Sequence, residues 1–174
     1  MAGLSAVSYS TAITAKETRK MKKLAIAAVA LFVVCLFGAC SSSEPKDVDV
    51  AKLAEDLHTQ ITYQDDLSQI SDEMFETVYK IDSSKVKKAV AYTSSGATAE
   101  EIVAIELNSA DDVDDAVTAL ENRVAYQKAG YEDYGPAEVP KLDSAVIKSA
   151  GSYVVMCVSD DNAKAEEVIK SYLG

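Results

Sequence analysis

The sequence has no tryptophan, one histidine, three prolines, three phenylalanines and three cysteines in 174 residues. Each scarcity excludes something. No serine elbow, phosphate loop or metal-spaced His/Cys set accompanies the single histidine, His58. A general base without a nucleophile or an orienting partner makes no catalytic argument, so His58 reads as a surface or boundary residue beside the apolar stripe of a helix. The absence of tryptophan weakens any case for a sugar-stacking platform. No internal repeat or low-complexity segment organises the chain.

Basic side chains are also scarce, 17 against 28 acidic, for a formal charge of −11. Loss of residues 1–39 removes five basic side chains and one acidic, leaving 12 and 27 and a formal charge of −15. Nucleic acid and anionic headgroups repel such a surface, so neither is expected as a partner. Partners should be neutral or cationic, or share calcium with it. No cofactor is indicated.

The strongest positive signal lies near the start. Arg19, Lys20, Lys22 and Lys23 precede an apolar run, Leu24–Phe37. Its 14 residues fall short of the roughly 20 that a spanning helix needs. Gly38 and Ala39 are small, as a signal peptidase requires, and Cys40 follows. This arrangement resembles the lipobox of bacterial lipoproteins, with Phe37 standing where leucine is usual. The resemblance implies cleavage between Ala39 and Cys40, a diacylglycerol on the Cys40 thiol, and palmitate-type anchoring at the extracytoplasmic face of the cell membrane. A plain signal peptide or an uncleaved anchor is the alternative. Two acyl chains hold firmly, because each buried methylene contributes about 0.8 kcal/mol.

The domain organisation follows. Residues 1–20 read as an upstream extension before a true start at Met21. Residues 21–39 form the signal peptide, 40–47 a tether and 48–174 one domain, large enough to bury its own core. The tether from Ser41 reaches at most about 25 Å when extended. With Cys35 in the signal and Cys40 lipidated, Cys157 is left unpaired, and its apolar strand makes it a small buried hydrophobe.

Asp49 can cap a helix carrying Val50, Leu53, Ala54, Leu57 and Ile61 at helical spacing. Residues 62–71 look irregular, and 72–79 a short helical turn. Strands are expected at 86–94 and 101–107, and at 142–148 and 152–158, as two hairpins. Between them Ser109 opens a helix, with Asp112 at capping-box spacing and an apolar stripe of Val113, Ala116, Val117, Leu120 and Val124. Gly130 and Gly135-Pro136 should end it. A last helix starts at 160–162, with Ala165, Val168, Ile169 and Tyr172 inward. The expected fold is α+β: a four-stranded antiparallel sheet from two hairpins, helices packed on one face, in the order α-β-β-α-β-β-α.

Three segments, Phe75–Asp82, Ala99–Val103 and Gly151–Val155, resemble an uncharacterised domain of unknown function found in lipoproteins of clostridial-type Gram-positive bacteria. The resemblance runs over about the whole mature chain and implies location and fold, without an activity.

The candidate chemistry is sparse. Asp111, Asp112, Asp114 and Asp115 could share a divalent ion, but calcium loops need an irregular backbone with a glycine at the bend. Helix capping and the macrodipole account for them. Glu100 and Glu101 point to opposite faces of a strand and cannot share a site, so they read as a solvated hairpin end. Phe75, Tyr79, Tyr126, Tyr131 and Tyr134 form the candidate binding patch, tyrosine being a frequent interface anchor, with core packing as the plainer reading. The reading overall is a lipid-anchored extracytoplasmic binding module, not an enzyme, for an envelope protein or a small ligand. An envelope-acting hydrolase and a structural spacer are the alternatives.

Overall fold

The computed structural model describes residues 47–174. The signal, Ala39, Cys40 and nearly all of the tether lie outside them. Helix α1 (Val50–Gln60) starts where Asp49 caps it, its carboxylate accepting from the amides of Ala51 at 3.1 Å and Lys52 at 3.4 Å. Val50, Leu53, Ala54 and Leu57 form its buried stripe. Next come β1 (Ser68–Gln69) and α2 (Asp72–Tyr79). Lys80 ends α2 in the left-handed conformation, φ 59°, its amide donating to the Glu76 carbonyl. A 3-10 turn at Ser83–Lys85 leads into the hairpin of β2 (Val86–Thr93) and β3 (Glu101–Leu107). Helix α3 (Val113–Tyr134) follows, then the short α4 (Val139–Asp143), the hairpin of β4 (Val146–Ala150) and β5 (Tyr153–Val158), and α5 (Asn162–Leu173).

Both expected hairpins are present, and β3 joins them by pairing antiparallel with β5. The sheet nevertheless has five strands, in the order β1-β2-β3-β5-β4, rather than four. The extra strand lies in the stretch read as irregular: Ser68 and Gln69 pair with Thr93 and Tyr92 at the edge of β2. The strand expected from Leu142 begins only at Val146, because Val139–Asp143 turns into α4 and buries Leu142 from a helix. Gly130 does not stop α3, which runs on to Tyr134.

Helices cover both faces of the sheet, not one. On one side α1 and α5 pack over Val90, Ile102, Ala104, Val155 and Cys157. On the other, α2, α3 and α4 pack over Val103, Ile105, Val154, Met156 and Val158. Every residue of β5 is buried, as a strand sandwiched between two helical layers requires. The described residues, 47–174, fall in one compact unit with these two cores as its interior.

One glycine is set by a close approach. A Cβ on Gly135 would stand 2.9 Å from Cδ1 of Tyr131, so the chain leaving α3 can pass under that ring only without a side chain.

Candidate functional site

A cleft of about 860 Å³ runs between α3 and the wall formed by Thr77–Asp82 and Lys85. Along α3 and the turn before it the lining residues are Asp112, Asp115, Ala116, Thr118, Ala119, Asn122, Arg123 and Tyr126, one stripe at helical spacing. The floor is low because alanines stand where larger side chains would fill it. Val78, Ile81 and Leu107 make the apolar side, and Tyr126 stands on the rim, 76% exposed.

Each of the two cations facing the cleft from α3 and the 3-10 turn is tied to carboxylates. Lys85 Nζ lies 2.9 Å from both Asp112 and Asp115, and Asp112 first, then Asp115, raises its pKa. That ion pair redirects the acidic cluster. Ser109 caps the turn before α3 by accepting from the Asp111 amide at 3.2 Å, but Asp112 makes no capping bond and the anticipated box does not form. The other cation, Arg123, reaches from α3 to Glu101 at the start of β3. Its Nε donates to both carboxylate oxygens at 3.3 Å and its Nη2 to Oε2 at 3.1 Å, while Gln127, one turn on, donates to Oε2 at 2.6 Å. The guanidinium carbon lies 6.0 Å from the centre of the Tyr79 ring.

Glu100 and Glu101 do point to opposite faces, but neither is solvated: they are 1% and 0% exposed. A carboxylate leaves water only where donors replace it. Glu101 has Arg123 and Gln127. Glu100 accepts from the amide of Gln64 at 2.9 Å, the amide of Asp65 at 3.1 Å and the Thr98 hydroxyl at 3.0 Å, with Lys141 Nζ at 3.5 Å. Lys141, itself buried, also contacts Glu138 at 3.0 Å and Asp160 at 3.4 Å. Burial opposes its charge, yet Glu138 and Glu100 together hold its pKa above the ordinary lysine value. This second network knots the strand ends to α4 and the chain after α1. It is closed by hydrogen bonds and holds the fold.

The five aromatic candidates fall in three places. Phe75 and Tyr79 pack on each other, ring centres 4.8 Å apart, both buried. Tyr131 and Tyr134 pair at 4.9 Å, and both hydroxyls donate to the Gly96 carbonyl, with Tyr131 also bonding the Thr98 carbonyl. They clamp the β2–β3 loop. Tyr126 stands apart on the cleft rim, so of the five only Tyr79 and Tyr126 line the cleft. His58 is half-buried and stacks on Tyr92 at 4.6 Å. Cys157 is fully buried and burial pushes its thiol pKa up, which leaves it unreactive. The lipidation candidate Cys40 and the cleavage residue Ala39 lie outside the described residues.

Arg123, on the lining of the cleft, carries a signal in the sequence. It is the one arginine after Arg19, and Gln127 sits four residues on, a polar pair facing the same way along an amphipathic helix. Among the described residues no group of three or more His, Cys, Asp or Glu is placed to hold a metal, and no helix is long and apolar enough to cross a membrane.

The fold and cleft define an α+β domain with an antiparallel sheet between two helical layers and one elongated groove on the α3 side. The chain belongs to a family described as a domain of unknown function, DUF4358, whose model matches residues 59–159. The match takes in the whole cleft, Glu100, Glu101 and Lys141, and leaves out most of α1 and all of α5. It is narrower than the mature chain over which the resemblance was expected to run. No curated protein and no solved structure matches the chain.

Proposed function

We propose that this chain is a lipid-anchored extracytoplasmic binding protein: Cys40 carries the diacylglycerol, and the α2–α3 cleft seats a ligand or partner at the outer face of the cytoplasmic membrane of a Gram-positive-type cell. The cleft is the observation that carries the binding reading. Its volume is within the roughly 300–1,000 Å³ of ordinary ligand sites, and it joins apolar walls to a fixed polar group, as such sites do. Two of its cations, Lys85 and Arg123, are already committed to carboxylates, an arrangement suited to holding a partner rather than moving protons. The run Leu24–Phe37 followed by Gly38, Ala39 and Cys40 supports the location.

Two measurements test the halves separately. In a Gram-positive host expressing the full chain, a clickable fatty acid should label the wild type and not Cys40→Ala, and the variant should leave the membrane fraction or persist as uncut precursor. A ligand screen by thermal shift on Ser43–Gly174 should give hits that Ala119→Trp, which fills the floor of the cleft, abolishes. Hits that survive the tryptophan refute the site.

A further inference from the structure

We propose that the cleft is a docking groove for a basic amphipathic helix of another protein. The inference deepens the binding reading above by naming the partner's chemistry, and it rests on the cleft being that protein's working surface.

The shape comes first. Positions Asp112, Asp115, Ala119, Asn122 and Tyr126 follow α3 for about four turns, so the groove is roughly 21 Å long, an elongated trench rather than a round pocket. Helix α3 has 22 residues, about 33 Å, while α2 has eight, about 12 Å, so α2 covers only part of its neighbour's length. The left-handed Lys80 ends α2 abruptly and sets that limit.

The walls decide between an extended and a helical occupant. One wall is α3, the other is the end of α2 and the irregular Lys80–Asp82, and Leu107, the strand residue on the lining, donates its amide to the Ser152 carbonyl, so no strand edge is offered. An extended peptide would leave its own amides unpaired there. A helix brings its backbone bonds with it and needs only an apolar stripe at i, i+3, i+4, i+7 and i+11. Ala116 and Ala119 let a second helix axis approach closely, and Tyr126 supplies an exposed aromatic anchor at one end.

The lining balances Lys80, Lys85 and Arg123 against Asp82, Asp112 and Asp115, so the sign of the partner comes from the acidic domain around it. Arg123 is neutralised by Glu101 and Lys85 by Asp112 and Asp115, and among the described residues Lys80 of this lining has no ion pair. The Asp115 carboxylate stays 77% exposed while paired with Lys85, and Asp82 is a further carboxylate on the same lining. Residues 47–174 carry 26 acidic and 11 basic side chains, so the surrounding field draws in a cation and repels an anion.

The probe is a synthetic helical peptide of roughly 15 residues, Leu on the i, i+3, i+4, i+7 pattern and Lys on the flanks, titrated against Ser43–Gly174 by fluorescence anisotropy at physiological salt. Two control peptides are a scramble of the same composition and an analogue with Glu for every Lys. The inference expects saturable one-to-one binding, weakened about tenfold or more by Ala119→Trp, by Tyr126→Ala, by scrambling and by the Glu analogue. Tyr126 is exposed, so its alanine variant folds whatever Ala119→Trp does, and circular dichroism checks both. Equal binding of the scramble means non-specific attraction to an acidic surface and overturns the inference. Binding unaffected by both variants places the peptide elsewhere and overturns it, as does no binding at millimolar peptide. If the peptide fails while Ala119→Trp still abolishes small-ligand hits, the binding reading stands and the helical partner falls.

Discussion

Glu100 and Glu101 are neighbours in sequence, both closed off from solvent, and each is held by a cation from a different helix: Lys141 of α4 reaches Glu100 and Arg123 of α3 reaches Glu101. The start of β3 is therefore fastened to α3 and to α4, two helices of the same layer. Arg123 also lines the α2–α3 cleft.

Removing one member of the Glu101–Arg123 pair strands the other without water. Arg123→Met should cost about 3–5 kcal/mol in urea denaturation, and Arg123→Lys a large part of it, since an ammonium cannot make the two-pronged contact. The double variant Glu101→Leu with Arg123→Met should recover most of the loss. A double variant as unstable as Arg123→Met alone would show that packing, not the stranded charge, sets the cost.

Tyr79 offers a cleaner substitution. Its hydroxyl is buried with no hydrogen-bond partner among the described residues. Phenylalanine there should leave stability at pH 7 unchanged or slightly higher, because an unsatisfied buried hydroxyl contributes nothing. A loss of about 1–3 kcal/mol would instead reveal a bond to that oxygen.

The alkaline limb of the stability curve follows from the same residue. Burial first, then the Glu101 charge, raises the Tyr79 pKa above its ordinary value of 10, and burial raises that of Tyr63. The pKa of Lys141 is raised as well, from 10.5, while burial and Asp56 lift Tyr172 to about 12. In each case the folded state keeps a proton that the unfolded chain releases, so the stabilisation is complete below the unfolded pKa and is lost as pH rises beyond it. Stability should therefore fall steadily above about pH 10, and Tyr79→Phe should flatten part of that fall. Denaturation midpoints from pH 8 to 12 would check it. A curve identical to the wild type would remove Tyr79 from the set.

Gly135→Ala tests the α3 exit. Its φ of −148° suits any residue, so the cost comes from the Cβ pressing on the Tyr131 ring. A loss of about 1–3 kcal/mol is expected, with loosening of the Gly96 loop that Tyr131 clamps, visible in amide exchange. An unchanged midpoint would mean the ring swings aside freely.

The hairpins and the main helices were legible because period-two and period-3.6 patterns are local. The two-residue β1 was not: Ser68 and Gln69 are polar and become a strand only because β2 offers an edge. The second helical layer was written in the unbroken apolar run of β5, which alternation-based reasoning passes over. Glu100 and Glu101 misled because their partners lie 41 and 22 residues further along, and charge alone says exposed. Of the cleft, Tyr79 and Tyr126 were visible as aromatics. Arg123 was not, although its being an isolated arginine one turn from Gln127 marked it.

Methyl NMR on Ser43–Gly174, titrated with a fractionated extract of the host envelope, tests the binding account most directly. Shifts gathered at Val78, Ile81, Ala116 and Ala119, and absent in Ala119→Trp, are the predicted result. Shifts gathered on the α1–α5 side or along the β4 edge, with those four methyls unmoved, would contradict it.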